Sequence, residues 1–257
     1  MSSRMRSRRW SKKSMLKPDF PDLPDFLRRP KDNRMPVPLP KPLVYSYTFL
    51  NTADNCLHKA YRQYVKKDLP FVSTPEMDWG NKVHTAFEHR LGGKPLPQDM
   101  LHWEPLVSAY ADRKALPEMK LGITRDGKAT GFFDKDVFVR GKIDATITTA
   151  DAAFLPDWKT GSSKYENPFE LEVQALLLRA ARPGLKKIAG HYVWLKENRI
   201  GVVHDLSDFN STWATINNKV EVIEDCMTSG DWPKNKNPLC GWCPVKDCEN
   251  WFDAKAK

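Results

Sequence analysis

Gly141-Lys142-Ile143-Asp144 and, a short way on, Pro156-Asp157-Trp158-Lys159-Thr160-Gly161 are the most informative stretches of this chain. Val137, Val139, Ile143, Ala145 and Ile147 alternate with Arg140, Lys142, Asp144 and Thr146, a period of two that predicts a half-buried strand. A polar turn at 148–151 leads into a second predicted strand, Ala153–Thr160. Alternation puts Asp157 and Lys159 on one face of that strand and Trp158 on the other. If the two strands pair across the turn, Asp144 and Asp157 come within reach of one cation. Two carboxylates make a hard oxygen site suited to Mg²⁺ or Mn²⁺. A lysine beside such a site orients a water or stabilises charge on a phosphate. Together these parts suit phosphodiester hydrolysis, in which a metal lowers the pKa of its bound water. An isolated acid–acid–lysine set is more often a surface salt bridge, so its neighbours decide.

Upstream, residues 46–66 read as a helix. Phe49, Ala53, Cys56, Leu57, Ala60 and Tyr64 share one face, with Ser46 or Thr48 as cap. A second helix opens at Thr74-Pro75-Glu76, where the threonine caps, the proline suits the first turn and the acid faces the positive end of the dipole. It runs to about Leu91, and a third covers about 98–114. Downstream, Asn167 and Pro168 open a helix that ends at Arg182-Pro183-Gly184, with Glu170 placed to complete its cap. A hairpin spans 187–206 around Glu197-Asn198, and 208–227 is a last long helix. In that helix Cys226 shares an apolar face with Val222 and Ile223 and reads as a core thiol. The succession of helices, strands, helix, hairpin and helix predicts a mixed α/β or α+β body.

The 257 residues carry 41 Lys and Arg against 32 Asp and Glu, a formal charge of +9. Most of that excess lies at the front: residues 1–41 hold 12 basic and 4 acidic side chains, with seven prolines and no apolar period. Residues 1–42 are therefore read as a disordered basic arm and 43–257 as the folded domain. Such an arm favours polyanions, serves equally well as a solubilising tail, and has the Arg/Ser bias of an organelle transit peptide. The body is nearly neutral, so a nucleic-acid surface on it must be a local groove. No stretch is long and apolar enough for a membrane span, and no apolar run follows the basic start as in a secretory signal. A cytoplasmic location is expected. No phosphate-binding loop of the G-x-x-x-x-G-K-S/T kind occurs, so no nucleotide-driven motor is expected.

The Gly-x-x-Asp stretch, the Asp-Trp-Lys-Thr-Gly stretch and the helix carrying Gln174 resemble the PD-(D/E)xK nuclease superfamily, in its RecB-like and AddB-like exonuclease branch. That branch includes CRISPR-associated and phage exonucleases. The resemblance covers roughly 45–250. It implies a restriction-endonuclease-like central mixed sheet flanked by helices. It also implies metal binding by Asp144 and Asp157, aided by the Trp158 carbonyl, and a catalytic role for Lys159. Gly80, His84 and Glu88 match the branch's G-x-x-x-H-x-x-x-E helix, which makes His84 a metal ligand. Gln174 matches the glutamine of its Q-x-x-x-Y helix, near the DNA and the active site, but Leu178 stands where the tyrosine would be. Glu118 lies where the branch often has an acid, with no role assigned. The activity implied is that of an Mg²⁺- or Mn²⁺-dependent DNA exonuclease, with single strands or duplex ends as substrate and recombination or replication proteins as partners. A catalytically silent nucleic-acid- or partner-binding module is the competing reading. Polarity, pathway and oligomeric state are left open.

Cys240, Cys243 and Cys248 have the spacing C-x2-C-x4-C and need a fourth ligand for a tetrahedral site. The same resemblance supplies Cys56 and implies a four-cysteine [4Fe–4S] staple; zinc is the chemical alternative. The branch more often has five residues before the last cysteine and a proline after the first, where this chain has four and Leu57.

Overall fold

The acidic stretch lies where two sheets meet. The computed structural model describes residues 42–70 and 72–254, so the expected basic arm lies outside the described residues except at its last position. Strands β1 (Met119–Ile123), β2 (Ala129–Thr130) and β3 (Val139–Ile143) form an antiparallel sheet in the order β2-β1-β3. The second sheet runs β4 (Ile147–Thr148), β5 (Ala152–Lys159), β6 (Lys187–Trp194), β7 (Arg199–Ile200), and β8 (His204–Asp205) also pairs with β6. β5 and β6 are parallel, with Asp157 opposite Tyr192, while β4, β7 and β8 pair antiparallel. A parallel pair needs a crossover, and helix α5 (Phe169–Ala181) supplies it. The sheet is mixed and flanked by helices, as expected.

The predicted strand over 137–147 is divided. The chain leaves β3 after Ile143, and Thr146 exchanges both backbone hydrogen bonds with Leu116 at 2.8 and 3.0 Å. It then pairs Ile147 with Phe154. The hairpin across 148–151 therefore joins β4, not β3, to β5, and Asp144 occupies the bend between the sheets.

The first predicted helix is also divided, at Cys56. Helix α1 (Tyr47–Asn55) gives way to extended backbone at that residue (φ −167°, ψ 112°), then to α2 (Leu57–Ala60) and a π-helical turn, Tyr61–Val65. The C-terminal loop causes the break. The Asn55 carbonyl accepts from the side-chain amides of Asn235 and Asn237, both at 3.0 Å, and the His58 N–H donates to the Pro233 carbonyl at 3.1 Å.

Helix α3 (Pro75–Leu91) begins as expected, with Thr74 accepting the Met77 N–H. The third predicted helix is a 3₁₀ segment, Gln98–Trp103, followed by α4 (Glu104–Ala111). The last is α6 (Phe209–Ser229), capped by Asp208. On α6, Cys226 and Ile223 are buried as expected, but Val222 is exposed, lying off that face.

Helix α5 is covered on two sides. Phe169, Val173 and Leu177 pack with α1 and α6, while Leu171, Ala175 and Leu178 pack on β5 and β6. Each of these side chains except the smaller Ala175 contributes about 1.5–3 kcal/mol by leaving water. Gly141 lets the helix lie close to β3: a Cβ there would stand 2.9 Å from Leu177 Cδ1. Within this apolar helix Gln174 is buried and polar. A third cluster holds α3 and α4 against the opposite face of β5 through Phe87, Tyr110 and Trp158. Among the described residues no helix is long and apolar enough to cross a membrane.

Candidate active site

Beyond the short β4, the outer edge of β5 has no strand partner among the described residues. Pro156 and Trp158 face that edge by alternation. Proline has no N–H to satisfy. The Trp158 N–H donates instead to Asp144 Oδ2 at 3.0 Å. The bend at 144 thus aims a carboxylate at the strand that carries Asp157 and Lys159. Asp144 Oδ1 is 3.0 Å from His84 Nδ1 on α3. Helix α3, the bend at 144 and β5 therefore converge with α5 on one open cavity, lined by His84, Asp144, Asp157, Lys159, Glu170 and Gln174.

As alternation requires, Asp157 and Lys159 point toward α5, and the Trp158 ring points away into the α3–α4 core. Gln174 donates from Nε2 to Asp157 Oδ1 at 2.8 Å, which accounts for a buried amide on an apolar helix. Lys159 Nζ lies 2.7 Å from Asp157 Oδ2 and 2.8 Å from Glu170 Oε2. The first contact is an ion pair without hydrogen-bond alignment, so Asp157 Oδ2 is buried and lacks an aligned donor. The ammonium also lies 5.3 Å from the centre of the Tyr192 ring, whose hydroxyl donates to the Asn167 carbonyl.

Burial pushes the Asp157 carboxyl up to about 7; Lys159 opposes the shift, and Asp144 and Glu170 reinforce it. Burial pulls the Lys159 ammonium down, but Asp157 and Glu170 outweigh it, so the lysine stays charged with a raised pKa. His84 follows the same balance: burial lowers it, Asp144 raises it more, and the net direction is upward. The shifts of the Asp157–Lys159 pair do not mirror each other, because one ammonium serves two carboxylates and burial penalises both charges.

Carboxylate oxygens and one imidazole nitrogen are a donor set for a hard divalent cation. A buried carboxylate oxygen without an aligned donor fits that use. Among the described residues, no three His, Cys, Asp or Glu side chains are gathered closely enough to form a finished metal site. Here His84 and Lys159 are the partners facing the two aspartates.

A family model described as the PD-(D/E)XK nuclease superfamily matches residues 44–248. The chain belongs to that superfamily. Its members hydrolyse nucleic acids, and metal-dependent nuclease activity is what membership suggests here. No curated protein matches the chain. A solved structure titled "Crystal structure of SSO0001" aligns over 81% of this chain and 87% of its own, at 13% identity and a TM-score of 0.39. At that score the likeness supports no conclusion about this chain.

The cysteines form a second locality. Cys56, Cys240, Cys243 and Cys248 all line one small cavity, with His58 and Trp251 among its other walls. All are free thiols. Burial pushes the Cys243 thiol up, and Cys56 and Cys240 add to the shift through space. The helix break at Cys56 places that residue, distant in sequence, on the wall of the cavity that Cys240, Cys243 and Cys248 also line, but no three of these thiols are gathered closely enough to form a finished metal site. Stacking of Tyr61 on Trp232 at 5.0 Å and the Arg62–Asp247 ion pair at 2.8 Å hold the same two segments together.

Of the expected site residues, His84, Asp144, Asp157, Lys159 and Gln174 line one cavity and the four cysteines the other, while Trp158 lines neither and its ring is buried in the α3–α4 core. Glu118 lines the acidic one and holds Lys120 and Lys142 at 3.3 and 3.2 Å. Glu88 of the α3 motif is not among the lining side chains. Glu170 was expected to cap α5. The cap position is Pro168 and carries no side-chain cap hydrogen bond; Asn167 Oδ1 accepts the Phe169 N–H, and Glu170 reaches Lys159. The signal was there: Glu170 lies one helical turn from Gln174, so it faces whatever Gln174 faces. Sequence reasoning also missed Tyr47, Phe132 and Arg140, which line the cavity from outside the motifs.

Proposed function

We propose that this chain is a divalent-cation-dependent DNA exonuclease. The observation that carries the reading is the convergence of His84, Asp144, Asp157 and Lys159 on one cavity from α3, the inter-sheet bend and β5. Asp144, Asp157 and His84 would hold Mg²⁺ or Mn²⁺, with the Trp158 carbonyl as the further ligand that the family resemblance implies. The cation supplies Lewis-acid activation of water and neutralises charge at the phosphate. Gln174 orients the Asp157 carboxylate through its 2.8 Å hydrogen bond. Lys159, kept charged by Asp157 and Glu170, meets the negative charge that develops on the scissile phosphate. The Trp158 N–H fixes Asp144. Cys56, Cys240, Cys243 and Cys248 hold a [4Fe–4S] cluster that ties the first helix to the C-terminal loop; four thiols lining one cavity support this assignment.

End-labelled single-stranded DNA incubated with the protein and Mn²⁺ tests the reading. Wild type should release nucleotides or short products from one end. Lys159→Ala and Asp157→Asn should stay folded, with rates lower by several orders of magnitude. A folded wild type that binds DNA and never cuts it leaves the silent-module reading in place.

A further inference from the structure

On the loop between β2 and β3, Phe132 lines the acidic cavity and Phe133 stands beside it. Phe133 is 79% exposed, the highest value among the exposed large apolar side chains of the described residues. Its ring meets that of Phe132 edge-on, with centroids 4.9 Å apart and planes at 75°. The Arg140 guanidinium lies 4.7 Å from the centre of the Phe132 ring and 5.7 Å from that of Phe133, and donates to the Phe132 carbonyl. Phe132 and Arg140 line the same cavity as Asp144, Asp157 and Lys159.

The loop is built to hold this position. The Asp134 carboxylate accepts the Gly131 N–H at 2.7 Å and the Thr130 hydroxyl at 2.9 Å. It sits so close to Gly131 that a Cβ there would stand within 2.8 Å of all three carboxyl atoms. The same Thr130 hydroxyl lies 3.0 Å from Asp136 Oδ1, so its one proton is shared between the two carboxylates. A single exposed phenylalanine needs no explanation. A rigidly presented aromatic pair braced by a cation, continuous with a site for phosphates, has a chemical meaning: a π face for a base beside positive charge for its backbone.

We infer that Phe132, Phe133 and Arg140 form a stacking platform for one unpaired nucleobase next to the scissile phosphate. The platform makes single-stranded nucleic acid the preferred substrate of the site. The inference rests on the nuclease reading for the meaning of the adjacent cavity. The platform recognises the π face of a base rather than its edge, so it is indifferent to sequence. A base held inside a duplex does not expose that face.

The test is binding by fluorescence anisotropy with no divalent cation added, so that strands stay intact. The probes are a fluorescein-labelled oligothymidine and an abasic phosphodiester strand of the same length and label. Wild type should prefer the thymidine strand. Phe133→Ala should weaken binding to that strand about tenfold and leave the abasic strand unaffected. Phe133→Tyr should keep the preference, and Phe133→Leu, apolar but without a π face, should lose it. The ring is exposed, so all three variants should fold like wild type. Equal affinity of wild type and Phe133→Ala for thymidine overturns the inference. So does an alanine loss of equal size on the abasic strand, or full recovery with leucine, the mark of an apolar protein contact. Cleavage is scored separately with Mn²⁺. Base-dependent binding without cleavage keeps the platform and removes the nuclease reading; cleavage without base-dependent binding does the reverse.

Discussion

Gln174→Leu separates a positioning role from a packing role. The substitution removes the Nε2 donor that stands 2.8 Å from Asp157 Oδ1. It also removes Gln174 Oε1, a buried oxygen with no hydrogen-bond partner. The two changes oppose each other. Losing a hydrogen bond to a charged group costs about 1.5–3 kcal/mol, whereas removing an unsatisfied buried acceptor returns about 1–3 kcal/mol. Stability should therefore change by no more than about 2 kcal/mol, a shift in Tm of no more than about 4–8 °C for a domain of this size. Cation binding has no such compensation. Burial already holds the Asp157 carboxyl near about 7, and without its donor the ionised form is less favoured still. By analogy with other groups that orient metal ligands, Mn²⁺ affinity should fall about 10–100-fold. Calorimetry without metal and Mn²⁺ titration followed by electron paramagnetic resonance measure the two quantities. A large fall in Tm with unchanged Mn²⁺ affinity would refute the reasoning and make Gln174 a packing residue alone.

Glu170→Gln keeps the shape of the side chain but removes one of the two charges holding Lys159; kcat should fall about five- to tenfold, and an unchanged kcat would remove Glu170 from the machinery. Cys56→Ser should abolish the brown colour and iron content of anaerobically purified protein, and Cys226→Ser should keep both; full iron retention in Cys56→Ser would break the four-cysteine assignment. His191 is buried, bonded to the Tyr110 hydroxyl at 2.8 Å, and held by burial below the ordinary imidazole pKa. Its folded form resists protonation, so the stability it contributes is complete above about pH 6.5 and is lost as pH falls below that value. His191→Gln should flatten the fall in Tm between about pH 7 and pH 5; parallel pH profiles for the two proteins would contradict this.

Much of the site was legible because strand and helix periods are local. Alternation alone separated Asp157 and Lys159 from Trp158, and helical spacing put His84 on the correct face of α3. The path from Asp144 to Asp157 was not legible. It depends on Thr146 exchanging hydrogen bonds with Leu116, a residue with no sequence signal, and on the shortness of β4. The helix break at Cys56 was hidden for a similar reason. The apolar face runs through it unbroken, and the groups that interrupt it come from Pro233, Asn235 and Asn237. Glu170 was misassigned because a helix N-terminus offers an acid a role whatever lies opposite it.

The hydrogen bond from the Trp158 backbone to Asp144 bears on how this chain and its relatives would decay. Asp144 answers to two selective pressures, since it closes an unpaired strand edge as well as facing the cavity. Lys159 answers to one: its polar partners are Asp157 and Glu170, themselves part of the cavity. A lineage that lost its chemistry would shed the lysine early and keep the aspartate, because an unsatisfied N–H would remain whether or not anything was cut. Among divergent copies, the aspartate is therefore a poor indicator of a working enzyme, and the lysine with its glutamate is the better one.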